Sequence, residues 1–219
     1  MVAITTRLPQ ARHVYIGDIH QLDPHVRCPR ASNPARFGAR GVMDLLLERG
    51  VSSAPLTTTF RSHPGLVALP NELFYSNALQ SGTDVGDRQM FLRAVRCPSP
   101  TPFFFVNVAG TSVRSVNGSH SNETDRESEL CRQIVMTLLV KEIAPDSIAI
   151  IVFYKEQYRL LKEFARTVEV DLHTVDSVQG REKDIVVVLS TRTSLSRRLL
   201  DDPKRLNVAL SRSRHGQFV

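Results

Sequence analysis

From Ile148 onward the chain alternates between a strand-like and a helix-like hydrophobic pattern, and this constrains the fold more than any other feature of the sequence. The run IAIIVF, residues 148–153, is apolar throughout, as expected of a strand buried on both faces. A helix-spaced segment follows at about 155–167, then strands at 170–175 and 184–189, and a short helix around 205–213. Parallel strands cannot be joined by tight turns, so strands alternating with helices imply a parallel sheet covered on both faces. The expected class is α/β.

Upstream, Pro98, Pro100 and Pro102 introduce FFFVNV, residues 103–108, read as a further buried strand. Thr124 and Glu127 have capping-box spacing and open a helix whose apolar stripe is Leu130, Ile134, Val135, Leu138 and Leu139. Nearer the start, a helix is expected over about 40–49, with Val42, Met43, Leu46 and Leu47 facing inward and Gly50 ending it. Another helical segment carries Leu66, Leu69, Leu73 and Phe74 on one face, and residues 14–17 read as a strand. Residues 25–40, 81–88 and 109–121 read as loops or turns.

The 219 residues suffice for one large or two small domains. The net charge of +6 permits a polyanionic partner without requiring one. Of the 28 basic residues only five are Lys, none before Lys141, and the rest are Arg, the better bidentate phosphate ligand. Cys28, Cys97 and Cys131 lie far apart and form no CxxC pair, which argues against a zinc site or a disulfide framework and fits a reducing compartment. No apolar run approaches the roughly 18 residues that span a membrane. The expectation is a cytoplasmic or nuclear protein with no membrane contact and no metal site of its own.

Four stretches carry candidate chemistry. In HVYIGDIHQLDP, residues 13–24, Gln21 follows a strand-like run, where its amide could meet a terminal phosphate or an attacking water. In TFRSHP, residues 59–64, Phe60 offers a face for a purine base and Arg61 a rigid cationic fork for phosphates. In HTVDSVQGREKDIVVVLSTR, residues 173–192, a polar loop links two apolar strands. Gly180 would let a backbone approach a ligand closely, Gln179 and Glu182 could bind ribose hydroxyls, and Thr174 and Ser177 phosphate or sugar oxygens. In RLNVALSRSRHG, residues 205–216, Arg205, Arg212 and Arg214 flank an apolar helical stripe, and an arginine held there could neutralise a phosphoryl group in transfer. Taken singly, the first, second and fourth also fit a turn, a core Phe beside a solvated Arg, and a basic helix end.

In this order and spacing the four resemble motifs III, IV, V and VI of superfamily 1 helicases. The likeness is greatest to the 5′-to-3′ branch that includes the RNA helicase of nonsense-mediated decay. It continues through HPGLVALPNELFYSNALQSG (63–82), IAIIVFYKEQ (148–157) and DDPKRLNVALSR (201–212). The resemblance implies a RecA-like, P-loop-NTPase-type fold. Residues 1–60 would be the end of a first RecA-like domain, and residues 61–219 a second one whose final strand, begun by GQFV, is cut short. It implies Gln21 as γ-phosphate sensor, Phe60 against adenine, Arg61 and Arg212 as arginine fingers, and Gly180 and Glu182 at the nucleotide. Thr174, Asp176 and Ser177 would lie near the nucleic-acid backbone or couple it to the nucleotide. Ser62, Phe153, Ser211 and Ser213 depart from the family's usual Met, Pro, Thr and Ala, and no charged group of these motifs is lost.

No G-x-x-x-x-G-K-[ST] and no acidic pair after an apolar strand occur in these residues, so the phosphate cradle and the Mg²⁺ carboxylate are not among them. The chain reads as a fragment, a truncated gene model or a degenerate copy. The expected function is the C-terminal half of an ATP-dependent RNA or DNA helicase. ATP and Mg²⁺ would be used only together with an N-terminal RecA-like domain, and the partner would be single-stranded RNA or DNA. The alternative is a non-catalytic remnant that binds nucleic acid or a protein.

Overall fold

The computed structural model describes residues 7, 10–24, 41–96, 99–108, 112–114, 120–122, 126–191 and 202–219. These divide into two compact units, Met1–Pro55 and Leu56–Val219.

In the first unit, α1 (Val42–Glu48) ends as expected at Gly50. Val51 N–H reaches the Leu46 carbonyl and Gly50 N–H the Leu47 carbonyl. That double closure needs a left-handed residue between helix and exit, and Gly50 supplies it with φ +66°. Leu47, expected to face inward, is 40% exposed. The strand expected at 14–17 is absent: Val14 and Ile16 are over 80% exposed, and no strand of this unit lies beside them among the described residues. An apolar run becomes a strand only where another backbone completes its ladder. The chain turns instead at Asp18, whose carboxylate accepts from His20 N (2.9 Å) and Gln21 Nε2 (3.0 Å).

The second unit opens with β1 (Thr58–Thr59), α2 (Pro64–Phe74) and β2 (Gln80–Ser81), and β2 pairs parallel with β1. Then come a 3-10 turn, α3 (Met90–Val95), β3 (Phe103–Phe104), and the antiparallel pair β4 (Ser112–Arg114) and β5 (His120–Asn122). The βα alternation follows: α4 (Arg126–Val140), β6 (Ile148–Val152), α5 (Lys155–Thr167), β7 (Asp171–Thr174), β8 (Lys183–Leu189), α6 (Pro203–Leu210) and β9 (Ser213–Phe218). The main sheet runs β3-β9-β8-β6-β7 and every pairing in it is parallel.

Register shows how both faces are covered. Leu172, Ile150, Val187, Phe218 and Phe104 pair in one row across the five strands, and all belong to the core formed with α3, α4 and α5. Ala149, Val186 and Gln217 form the adjacent row, which points to the opposite face. There the buried Gln217 donates to the Ala209 carbonyl of α6 (3.2 Å).

Two strand expectations change. FFFVNV is a strand only at Phe103–Phe104; Phe105 is 75% exposed. β3 is an edge with one neighbour, so the apolar run outlasts its pairing. The last helix stops at Leu210 rather than near 213, and the final strand starts at Ser213, ahead of GQFV, and is paired on both sides. Thr124 of the expected capping box lies outside the described residues, and Glu127 has a different partner, described below.

Candidate functional site

Four of the candidate residues meet where β8 and β9 begin. Arg61 follows β1 and reaches Glu182, the residue before β8, through Nε to Oε2 at 2.5 Å. Its Nη1 donates to the Ser211 carbonyl at 3.0 Å, while Nη2 has no partner among the described residues. Arg61 is therefore fixed at two nitrogens and free to donate at the third. The Phe60 ring beside it is 68% exposed and lies over Gly82, where a Cβ would come within 2.3 Å of the ring. Arg212 is 1% exposed, so it is not a free finger in this state. Its Nε donates to the Val208 carbonyl (3.0 Å), Nη1 to the Arg181 carbonyl (3.3 Å) and Nη2 to Ser211 Oγ (2.9 Å). Gly180, two residues before Glu182, has φ +80° with open space where a side chain would be, so the left-handed conformation itself accounts for glycine.

Two further arginines shape this cluster. Arg214 grips the other oxygen of Glu182 from Nη2 (2.7 Å) and Nε (3.0 Å) and approaches Asp184 at 3.5 Å. β9 has one residue more than β8 between the paired positions Ser213–Lys183 and Gly216–Ile185, and that bulge re-aims Arg214 and His215. Arg88 donates to the carbonyls of Arg61 (2.9 Å) and Phe60 (3.4 Å), fixing the backbone that carries them. Arg88 was not singled out in the sequence, since its partners are main-chain atoms 27 and 28 residues away.

Burial raises the affinity of the Glu182 carboxyl for its proton, but the hydrogen bonds and charges of Arg61 and Arg214 outweigh it and hold the group below its ordinary 4.5. A depressed carboxyl contributes stability above the unfolded value that is lost as pH falls through the native one. Unfolding stability should thus decline as pH is lowered from 4.5, and less so in Glu182→Gln. Denaturant titrations at a series of acidic pH values on both proteins check this.

Thr174, Asp176 and Ser177 lie at the other edge of the sheet, where β6 and β7 end. Thr174 and Ser177 knot the turn: Thr174 N–H donates to Ser177 Oγ (3.0 Å), which donates to the Thr174 carbonyl (3.0 Å). Asp176 pairs with Arg205 near the start of α6 at 3.0 Å. Residues 175–182 thus run from the carboxyl end of β7 back to the amino end of β8, roughly 13 Å at the rise of a strand. The structure separates the two groups of candidates by the length of the sheet, and one loop connects Gly180 and Glu182 to Thr174, Asp176 and Ser177. Gln21 belongs to the first unit and is bonded to Asp18.

Burial pushes the Cys131 thiol up to about 12, with the nearby Glu127 adding to the shift, so this cysteine is an inert core residue. Among the described residues no group of His, Cys, Asp and Glu is placed to hold a metal ion, and no helix is long and apolar enough to cross a membrane.

A five-stranded parallel α/β sheet with these motifs along its edges is the architecture of a RecA-like helicase domain. A family described as "AAA domain" matches residues 39–219, and the chain belongs to it, as a superfamily 1 helicase domain of the nonsense-transcript-regulator type. It is 32% identical, over 94% of its length, to "Regulator of nonsense transcripts 1 homolog" of Arabidopsis thaliana, covering 17% of that protein. It is 31% identical to the Drosophila melanogaster protein of the same name, over 94% of this chain and 18% of the relative. It is 29% identical to "ATP-dependent helicase upf1" of Schizosaccharomyces pombe, over 94% of this chain and 23% of the relative. The chain therefore spans about a fifth of the length of these relatives.

Proposed function

We propose that this chain supplies the second RecA-like domain of an ATP-dependent helicase acting on RNA or DNA. The observation that carries the reading is Arg61, pinned by Glu182 and the Ser211 carbonyl with one guanidinium nitrogen unpartnered among the described residues, beside the exposed ring of Phe60. An aromatic face and a preorganised cationic donor suit an adenine nucleotide whose phosphates are cradled by another domain. ATP with Mg²⁺ supplies the phosphoryl group. Phe60 would hold the base, Glu182 has a lone pair left on Oε2 for a ribose hydroxyl, and Arg61 would meet the terminal phosphate. Arg212 would join it once freed from the Arg181 and Val208 carbonyls, and Gln21 would act as sensor. Residues 1–60 are read as the end of the first RecA-like domain and 61–219 as the second; the division into compact units at Pro55 supports this.

At the opposite edge Thr174, Asp176 and Ser177 would contact the backbone of a single strand. Such contacts are mostly sequence-independent, and the net charge of +6 would make the binding salt-dependent. Labelled single-stranded RNA and DNA titrated onto the chain should both bind. Affinity should fall about tenfold or more as salt rises from about 50 to about 200 mM, as expected for a few neutralised phosphates. Salt-independent affinity would remove the phosphate-directed reading.

A further inference from the structure

The geometry points to a second backbone contact for the single strand at the carboxyl end of β8: the Ser190 hydroxyl, set in place by a clamp between Glu127 and Thr191. This rests on the nucleic-acid reading above and extends it to residues to which no role has been given. Thr191 is buried, with φ +60°. For a β-branched residue that left-handed conformation is strongly disfavoured and persists only where neighbours enforce it. The enforcing group is Glu127, in the first turn of α4 and 64 residues away. One carboxylate oxygen accepts Thr191 N–H at 2.9 Å and the other accepts Thr191 Oγ1 at 2.7 Å. The carboxylate is held there against its own preference: burial raises its pKa, and the hydrogen bonds from Thr191 and the Ser190 backbone offset this only in part.

A half-buried, desolvated carboxylate and a strained threonine are two unfavourable features at one joint. The joint fixes where the chain leaves β8. Ser190, immediately before it, is half-buried, and its backbone also hydrogen-bonds Glu127. Register sets its position: Leu189 and Thr174 both pair with Val152, so Ser190 and the Thr174–Ser177 knot sit on the same edge, two strands apart. That is about 9.5 Å at the spacing of strands in a sheet, within reach of neighbouring groups on one nucleic-acid backbone. Glu127 and Thr191 are positioning residues here, and Ser190 is the contact.

The test is fluorescence anisotropy with labelled oligouridylate and oligothymidylate on the full chain, paired with melting curves. Ser190→Ala should bind roughly tenfold more weakly, the loss of one hydrogen bond, with an unchanged melting temperature and an unchanged salt slope because no charge is removed. Thr191→Gly relieves the backbone strain but removes the hydroxyl bond to Glu127, so its melting temperature should change little, and it should bind several-fold more weakly because the exit from β8 is no longer enforced. Thr191→Ser keeps both bonds to Glu127 and should bind like the parent. If the parent binds in a salt-dependent way while Ser190→Ala and Thr191→Gly bind equally well, the contact at β8 is wrong and the wider reading stands. If the parent binds neither probe, both fall together.

Discussion

Fused downstream of a RecA-like domain that carries a P-loop and a Mg²⁺ carboxylate, this chain should support ATP hydrolysis stimulated by single strands, and Arg61→Ala should lower kcat about 10³-fold or more. The magnitude is that of an arginine finger, whose charge is matched to the transferring phosphoryl group and to little in the ground state. KM should change far less than kcat. Arg61 is one-third exposed and its pairing with Glu182 is a surface ion pair, so the fold should barely notice its removal. Arg212→Ala should produce a comparable loss of turnover with a different signature. Its guanidinium is enclosed, and truncation leaves a cavity there and takes the Arg212 donor from the Arg181 carbonyl, at a cost of about 1–3 kcal/mol. Steady-state ATPase assays beside melting curves separate the two arginines. Full activity in both variants would remove the assignment of motifs IV and VI, and turnover by the unfused chain would show that the phosphate cradle lies elsewhere.

The largest effect on stability is expected at Phe91. It is fully buried in α3, and its ring meets Phe104 and Phe218 edge-on with centroids 5.4 and 5.3 Å apart. Gly216 of β9 lies beneath: a Cβ there would come within 2.2 Å of Phe91 Cγ and 2.8 Å of Phe91 Cβ. Phe91→Ala should cost about 3–5 kcal/mol and Gly216→Ala about 1–3 kcal/mol. The combination Phe91→Leu with Gly216→Ala should be less costly than the two single changes added, because the new methyl occupies part of the space vacated by the ring. Urea denaturation of the set measures this. Strict additivity would show that the two residues do not share one packing site.

The success of the sequence reading follows what each signal depends on. Helix Lys155–Thr167 and the strand beginning at Ile148 were legible because their periodicity is local and dense. So was the stop of α1 at Gly50, where a left-handed backbone calls for glycine. The strand at 14–17 and the far half of FFFVNV were misread because an apolar run states a wish for burial and says nothing of a pairing partner. The last helix was drawn too long because Ser211 and Arg212 carry no Gly or Pro to mark its end; Arg212 leaves it to fold under α6. Motif order singled out Arg61, Glu182 and Arg212, which the structure brings together. It could not show that Arg212 is enclosed, that the bulge in β9 turns Arg214 onto Glu182, or that the partner of Glu127 is Thr191. Each of these is a contact between segments distant in sequence, visible only once the sheet has closed.

The loop over residues 175–182 and helix α6 lie alongside one another and are joined at both extremities, through Asp176 and Arg205 at one and the Arg181 carbonyl and Arg212 at the other. Two members fastened at each end behave as a braced frame with little slack. Neither can slide along the sheet without moving the other or opening one of these fastenings. Freeing Arg212 from the Arg181 carbonyl would open one fastening and leave the loop tied to the helix only through the partly exposed Asp176–Arg205 pair.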